Sequence, residues 1–322
     1  MARRCVSRLL VPLVLSLFPA CSFARTVVFW QPGFPAADSP APNEAELRAA
    51  FVGAEFANAA DLPGALAATD TRLLVLPFGS AWPGADWEAI LQYLDRGGNL
   101  LTLGGKPFTR AAYEDASGWH LRAESTAQTL ELFIDGYQQT PGSDGLKFTP
   151  NGDVFPQLAS FGWRRAFSPV VRLSVIDYDA TGGATGGEDM DLTTLAWGER
   201  GGHKLAAPVL ELDHNAYRFV GGRWIMVACE PDADFFSNGE LLAALAELAV
   251  RTSDRFAFRP RVPLFVQGEA LEFDYTSFNS PAASARVFST TDSSDAVKTR
   301  PFNSRNVAAS IKPVRLLPSI NG

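Results

Sequence analysis

Cysteine, histidine and methionine are scarce in this chain, whose 322 residues include only three of each. Three cysteines are too few for a disulfide-rich scaffold or for a structural zinc site. The three histidines show no HExxH or similar metal-ligand spacing. No serine stands in a GxSxG elbow, which leaves a serine hydrolase unsupported. We therefore expect no bound metal and no cofactor.

An excess of positive charge is also lacking. Lysine and arginine number 28 against 35 aspartates and glutamates, so the net charge is −7 and the pI is near 5.1. This balance argues against a basic surface that binds nucleic acid. The chain is 47% hydrophobic and 20% charged. That composition excludes a disordered chain, a collagen, a coiled coil and a multi-span membrane protein, and the length suits about two globular domains.

Residues 1–24 have the pattern of a secretory signal peptide. Arg3, Arg4 and Arg8 precede the apolar run 9–18, and the small residues Ser22 and Ala24 suit cleavage before residue 25. We therefore expect export to the periplasm or the cell exterior, with a net charge that changes from −7 to −10 when the three arginines are lost. Two alternatives are an anchor helix, for which the run is short, and a lipoprotein. In the lipoprotein, Cys21 would end a lipobox that the preceding Phe-Pro fits poorly.

Cleavage would leave Cys229 as the one cysteine, at the end of the apolar run 224–229. Such a run predicts a buried strand, so a buried structural thiol is the expected role. A catalytic nucleophile is the alternative, although no activating base stands near it in the sequence.

The first half of the chain alternates apolar runs with amphipathic stretches. Strands are predicted at 26–30, 54–57, 73–77 and 100–103, and helices at 43–52, 61–68 and 85–96. Asn43 and Glu46 have the spacing of a capping box, Asp61 is the expected cap of the second helix, and Gly97-Gly98 would end the third. This order predicts an α/β fold: a flavodoxin-like, doubly wound, mostly parallel sheet with helices on both faces.

The later residues are less regular. Residues 106–170 are polar and turn-rich and predict an insertion or a lid, followed by strands at 170–178, 193–197, 208–212 and 217–220 and a helix at 240–250. Beyond Arg251, the runs 264–266, 271–275 and 285–288 predict the start of an antiparallel β-sandwich. It is shorter than the roughly 100 residues of an immunoglobulin-like domain. The expected units are therefore a leader 1–24, an α/β domain 25–252 and an incomplete sandwich 253–322, which suggests the front of a longer protein.

One pattern resembles the class I glutamine amidotransferase-like fold over residues 25–252. Its parts are an apolar strand, a helix that ends in Gly-Gly, a second strand and an elbow, found here at 73–78, 87–98, 99–103 and 104–105, with 222–229 and 240–250 closing the domain. The chain is most similar to degenerate members, in trehalose-utilisation-type proteins and the trimerisation domain of bacterial β-galactosidases. Active members carry a cysteine at the elbow, where this chain has Gly104 and Gly105 followed by Lys106. The resemblance therefore implies a non-catalytic relative attached to exported carbohydrate-active enzymes.

Candidate ligand-pocket residues follow the predicted strands, because ligands of open α/β sheets bind at the carboxyl ends. They are Trp30, Gln31, Phe78, Gly79, Gly104, Gly105 and Lys106. Trp82 and Trp119 fall in predicted loops and are candidates for stacking on sugar rings. The alternatives are a tight turn for Gly104-Gly105, a solvated side chain for Lys106 and core or loop packing for the tryptophans.

Two groups of polar residues suggest other chemistry. Asp213-His214 beside Glu211 suggests a base or a metal ligand, with hairpin polar residues as the alternative. Carboxylates around the glycine-rich stretch 181–187 suggest calcium, but their spacing differs from an EF-hand loop.

These patterns predict an accessory, non-catalytic domain of a larger exported glycan-processing protein, which supplies a scaffold, an oligomerisation surface or carbohydrate contact. Its expected partners are its own downstream domains, a carbohydrate and a second copy of itself. The alternatives are a hydrolase with a pocket around Lys106 and a stand-alone periplasmic ligand-binding protein.

Overall fold

The computed structural model describes residues 25–140, 146–156, 158–172, 177–178, 184–185, 190–215, 218–251, 256–260, 272–277 and 309–310. The predicted leader, the predicted strands 264–266 and 285–288 and most of the glycine-rich stretch lie outside these residues. Among the described residues, no helix is long and apolar enough to cross a bilayer.

The described strands are β1 (Arg25–Phe29), β2 (Glu55–Ala57), β3 (Thr71–Leu76), β4 (Ala81–Pro83), β5 (Asn99–Leu103), β6 (Arg110–Asp115), β7 (Gly118–Leu121), β8 (Ile134–Thr140), β9 (Lys147–Pro150), β10 (Trp163–Val171), β11 (Asp177–Tyr178), β12 (Ala184–Thr185), β13 (Met190–Arg200), β14 (His203–His214), β15 (Arg223–Val227), β16 (Cys229–Pro231), β17 (Phe256–Pro260), β18 (Glu272–Ser277) and β19 (Ala309–Ser310). The α-helices are α1 (Glu44–Ala50), α2 (Leu62–Ala67), α3 (Trp87–Asp95), α4 (Ala127–Glu131) and α5 (Gly239–Val250). Single 3₁₀ turns cover Gly84–Asp86 and Phe235–Ser237.

An eight-stranded sheet forms the centre, in the order β2-β1-β3-β5-β15-β14-β13-β9. The first five strands are mutually parallel, and the last three continue the sheet in antiparallel fashion. The predicted mixed α/β architecture and the parallel pairing of its early strands are therefore confirmed. The finer flavodoxin-like assignment stays a prediction.

Helices cover both faces of this sheet, as expected from its apolar strands. Val27 and Phe29 of β1 point into a core shared with α2 and α3, whereas Val28 points into a second core shared with α1 and α5. Side chains that alternate along a strand reach opposite faces, so continuously apolar strands indicate burial on both sides.

Of the two predicted N-terminal caps of α1 and α2, the structure shows the first but not the second. Asn43 caps α1, because its Oδ1 accepts the backbone N–H of Ala45 at 2.9 Å. The predicted cap Asp61 makes no side-chain capping bond at α2. Asn58 instead accepts the backbone N–H groups of Ala60 and Asp61 at 2.8 and 3.0 Å. That prediction was wrong because the Asx turn begins three residues earlier than the helical pattern suggests.

The third helix ends where the sequence predicted. Gly97 follows α3 in the left-handed region, with φ of 80°, and its N–H bonds to Leu94 O at 2.9 Å. Glycine takes that conformation without the steric penalty of a Cβ.

Residues 106–170 contain more regular secondary structure than their turn-rich sequence predicts, while their role as an insertion or lid stays a prediction. They contribute β6 to β10 and α4, and β9 joins the central sheet. β8 and β10 form a second sheet with β16, while β4, β6 and β7 form a third. Their polar composition obscured these strands, because few of their side chains are buried: Ala112 alone in β6 and Ile134 alone in β8.

The predicted strand 217–220 is also wrong within its described part. Residues 218–220 form a turn, and Phe219 has φ of 63°. An aromatic residue in the left-handed region does not continue a strand. Phe219 is nevertheless buried against Trp224, which explains its apolar sequence signal.

Candidate functional site

The elbow after β5 lies at the carboxyl edge of the parallel strands, where the sequence placed the candidate pocket. Gly104 and Gly105 have φ of 96° and 70°, which glycine adopts readily. Their N–H groups bond to Val227 O at 2.9 Å and Cys229 O at 2.6 Å. The N–H of Lys106 bonds to Ser80 Oγ at 2.7 Å. All three backbone donors of the elbow are thus used inside the protein.

The space above the elbow is filled by the protein itself. A Cβ on Gly104 would lie 2.7 Å from Ser39 Oγ and 2.9 Å from Ser39 Cβ. A Cβ on Gly105 would lie 2.6 Å from Ser80 Oγ and still closer to the Ser80 nitrogen. No side chain fits at either position without displacing its neighbours. The absence of a Cβ at Gly104 therefore leaves room for Ser39, and its absence at Gly105 leaves room for Ser80. Neither position can hold a reactive side chain.

A polar network surrounds the elbow. Ser80 is fully buried, and its hydroxyl donates to Asp38 Oδ2 at 2.7 Å while it accepts from Lys106 N. Arg165 Nε donates to Glu230 Oε2 at 2.6 Å, and its Nη2 lies 3.6 Å from Asp38 Oδ1. The network thus links the loop after β1, the end of β3 and the second sheet.

Lys106, the predicted donor to a ligand, is engaged within this region. Its ammonium group pairs with the carboxylate of Glu124, and its side chain is 16% exposed. Lys106 Nζ and Arg165 Cζ lie 5.5 and 5.4 Å from the centroid of the Phe167 ring, within cation–π range. The lysine charge is therefore balanced by a neighbour before any ligand arrives.

Aromatic residues form a chain of ring contacts along the same edge. Trp30 stacks on Phe78 with centroids 5.6 Å apart, Phe78 contacts Phe34 at 4.8 Å, and Phe34 contacts Trp119 at 4.9 Å. Trp30 and Trp119, the ends of this aromatic chain, are partly exposed, whereas Phe34 and Phe78 are buried. The structure thus joins two predicted site residues that are 89 positions apart in sequence.

The remaining predicted site residues have internal contacts. Trp82 is 2% exposed and packs on Trp87 and Phe108, so its faces are covered by protein. Gln31 accepts the Ala59 N–H at 3.3 Å and tethers the chain before α2. Gly79 has φ of 67°, and a Cβ there would collide with Ala37 O. These three residues shape the edge from within.

Cys229 is completely buried at the end of the run that predicted a strand. Burial raises the pKa of its thiol, and the negative charges of Asp232 and Glu230 raise it further. A thiol held protonated in this way is a poor nucleophile. The geometry agrees with a structural thiol.

Asp115, Ser117 and His120 meet in the exposed turn between β6 and β7, but they do not form a catalytic triad. Ser117 Oγ lies 2.6 Å from Asp115 Oδ1 and 2.8 Å from His120 Nε2. His120 Nε2 also faces Asp115 Oδ1 at 3.2 Å. In a triad the carboxylate holds the other imidazole nitrogen, so this group is a turn closed by hydrogen bonds.

The group around His214 serves the fold. Arg223 is buried and binds Asp213 through two hydrogen bonds of 2.8 Å, with Glu211 Oε1 3.7 Å from its Nη2. His214 is buried with its ring 4.0 Å from that of Trp224. Among the described residues, no three His, Cys, Asp or Glu side chains are arranged to hold a metal ion.

Sequence reasoning missed Ser80, Asp38, Arg165 and Glu230 at this edge. Ser80 directly follows the predicted Gly79, so the rule that places ligands at strand ends could have included it. Arg165 and Glu230 come from β10 and β16, whose pairing no local sequence signal reveals.

Comparison with known proteins identifies no family. No protein-family model matches the chain, and no curated protein matches it. Solved structures similar to it include β-galactosidases from Rahnella sp. R3 (12% identity, TM-score 0.37), Bacillus circulans sp. alkalophilus (13%, 0.35) and Halorubrum lacusprofundi (13%, 0.38). The matches cover 81%, 91% and 91% of this chain. The chain spans 37%, 40% and 40% of those proteins' lengths, and no family membership follows at these identities and TM-scores.

Proposed function

We propose that residues 25–252 are a non-catalytic accessory domain of a larger, exported glycan-processing protein. The observation that carries this proposal is the closed elbow at Gly104 and Gly105. We also propose an amidotransferase-like, flavodoxin-like origin for the domain, on the basis of the strand–helix–Gly-Gly–strand pattern that leads into this elbow.

The chemistry of the elbow supports an inert role. Acyl transfer at such a position needs a nucleophile and backbone donors directed at the developing oxyanion. Gly104 and Gly105 supply no nucleophile, and Ser39 and Ser80 occupy the space that one would need. The N–H groups of both glycines and of Lys106 already have acceptors.

A contact with carbohydrate is the role we propose for the aromatic chain. Trp30 and Trp119 are partly exposed at the carboxyl edge, and each is supported by a buried phenylalanine. Flat aromatic faces offer apolar surface on which a sugar ring can stack, and a ring held by its neighbours loses little conformational freedom on binding.

The setting in an exported, larger protein rests on sequence. The leader pattern 1–24 supports export, and the antiparallel pairing of β17 with β18 supports a β-rich unit after Arg251. We retain 253–322 as the start of a β-sandwich and a second copy of the chain as a proposed partner.

Two assays of the full chain test the proposal. The first measures turnover of glutamine and of chromogenic glycosides, and no activity above background is expected. Turnover that Lys106→Ala abolishes, in a variant that still folds, would instead support the hydrolase alternative.

The second assay measures binding of oligosaccharides by calorimetry. Trp119→Ala should weaken binding about two- to tenfold, since one aromatic stack contributes on the order of 0.5–1.5 kcal/mol. Trp197→Ala is the matched control, because Trp197 is also partly exposed but lies on β13 beneath Lys204. Equal losses in both variants, or binding unchanged by Trp119→Ala, would rule out the stacking site.

A further inference from the structure

An apolar groove lies near the amino end of the parallel strands, away from the elbow at their carboxyl end, since Thr26 at the start of β1 lines it. Its volume is about 590 Å³, and it runs between the turn that follows α1 and the last turns of α5. Residues that line it include Phe51, Val52, Ala54, Ala243, Ala246 and Val250. Apolar atoms therefore make up most of the lining, with a polar minority that includes Thr26.

Val52 stands at the rim of this groove. This valine is 87% exposed at the rim, beside Gly53 and next to buried Phe51. An apolar segment that covered Val52 and the groove would remove their hydrocarbon surface from water, which is favourable.

The chain that follows α5 starts at this groove. Val250 is the last residue of α5 and lines the groove, so the chain continues from Arg251 at its mouth. Seventy-one residues follow Arg251 in the sequence. Whatever follows α5 therefore starts within reach of the groove, and no second molecule is needed to bring it there.

One segment of that continuation has the matching chemistry. Residues 262–266 read Val-Pro-Leu-Phe-Val, without a polar side chain, and they stand between β17 and β18. Ten residues separate Arg251 from this segment and can span at most about 35 Å. A tether of that length gives the segment a high effective concentration at the groove, on the order of millimolar.

We propose that the groove binds residues 262–266 of the same chain and so fixes the following β-rich unit against the α/β domain. The groove provides the apolar walls of Phe51, Ala246 and Val250, and the segment provides Leu264 and Phe265. This contact is independent of the carbohydrate role, because the groove and the aromatic chain lie at opposite ends of the parallel strands.

Disulfide trapping in the full chain tests the contact directly. With Cys5 and Cys21 replaced by serine, Ala246→Cys is combined with Leu264→Cys, and Glu247→Cys with Leu264→Cys is the control. Glu247 is exposed on the same helix and does not line the groove. Under mild oxidation, the first pair should form an intramolecular disulfide about tenfold faster or more, because disulfides need Cα atoms within about 7 Å. Equal rates overturn the proposal, and a disulfide-linked dimer assigns the groove to a second copy.

Amide hydrogen exchange tests the same contact without a cross-link. Ala246→Glu should accelerate exchange of the amides of residues 262–266 about tenfold or more, whereas Glu247→Ala should leave it unchanged. Unchanged thermal unfolding of the α/β domain in both variants shows that it still folds. Faster exchange confined to residues 9–18 would identify the leader as the occupant, and no change anywhere would leave the groove unoccupied. Either result overturns the proposal.

Discussion

Ser39 lies in the space that any side chain on Gly104 would need. The two residues are 65 positions apart, and the Ser39 hydroxyl would be 2.7 Å from a Cβ built on Gly104. The segment after β1 therefore closes the elbow after β5, at the place where a reactive side chain would otherwise stand. The sequence has no nucleophile at Gly104, and the contact with Ser39 also leaves no space for one.

Gly104→Ala should lower the free energy of unfolding by about 2–4 kcal/mol. The loss combines a left-handed φ of 96° with the collision at Ser39. Gly118→Ala is the control, because Gly118 has φ of 110° and no atom within 4 Å of its would-be Cβ. That variant should lose about 1–2 kcal/mol in urea unfolding. Adding Ser39→Gly to Gly104→Ala should recover part of the loss, and no recovery would contradict the steric explanation.

Asp86→Asn should stabilise the protein at neutral pH. Asp86 is 7% exposed, its Oδ2 has no hydrogen-bond partner among the described residues, and burial raises its pKa to about 6. An acid whose folded pKa exceeds its unfolded value destabilises the fold when ionised. Stability should therefore fall between about pH 4 and pH 6 and stay low above that range. Asparagine should remove this dependence and add about 1–3 kcal/mol at pH 7. Parallel pH profiles for the wild type and the variant would show the assignment to be wrong.

Arg223→Ala and Arg218→Ala should differ sharply in their effect on stability. Each arginine binds an aspartate through two hydrogen bonds, but the side chains of Arg223 and Asp213 are 3% and 18% exposed, against 32% and 37% for Arg218 and Asp95. Loss of Arg223 removes two charged hydrogen bonds from a carboxylate that is largely shielded from water and should cost about 3–5 kcal/mol, whereas loss of Arg218 should cost at most about 1 kcal/mol. Chemical denaturation of both variants measures the difference, and similar values would contradict it.

The Cys229 thiol should resist alkylation until the protein unfolds. It is fully buried, and its raised pKa leaves little thiolate at neutral pH. Iodoacetamide labelling followed by peptide mass analysis should find Cys229 unmodified in native buffer and modified in denaturant. Rapid labelling of the folded protein would restore the nucleophile hypothesis.

The parallel half of the sheet could be predicted from sequence because its signals are local. The runs that became β3 and β5 are buried on both faces, and the caps at Asn43 and Gly97 mark helix ends within a few residues. The antiparallel half could be predicted only in part. The predicted strands 193–197 and 208–212 lie within β13 and β14, which pair across a two-residue turn, but β9 reaches β13 from more than 40 residues away. The predicted strand around Phe219 was wrong because this apolar residue is buried in a turn and not in a strand.

The candidate site could be predicted only as a set of strand ends. The rule that ligands bind at the carboxyl edge identified Phe78, Gly79 and the elbow from Gly104 to Lys106. It could not show that Ser39 fills the elbow, because the loop after β1 has no periodic pattern. The hydrogen bonds of Ser80 with Asp38 and Lys106 could not be predicted either, because these residues are far apart in sequence and meet only in the folded protein.

The two outer strands of the central sheet are short. β2 has three residues and begins with Glu55, while β9 has four and contains Lys147 and Pro150. Unpaired strand backbone is a template for pairing with other molecules, and charge, proline and brevity all oppose it. Both outer strands of the sheet are therefore poor templates for aggregation. Substitutions that lengthen either strand or replace its charge should reduce solubility even where they leave the folded domain intact.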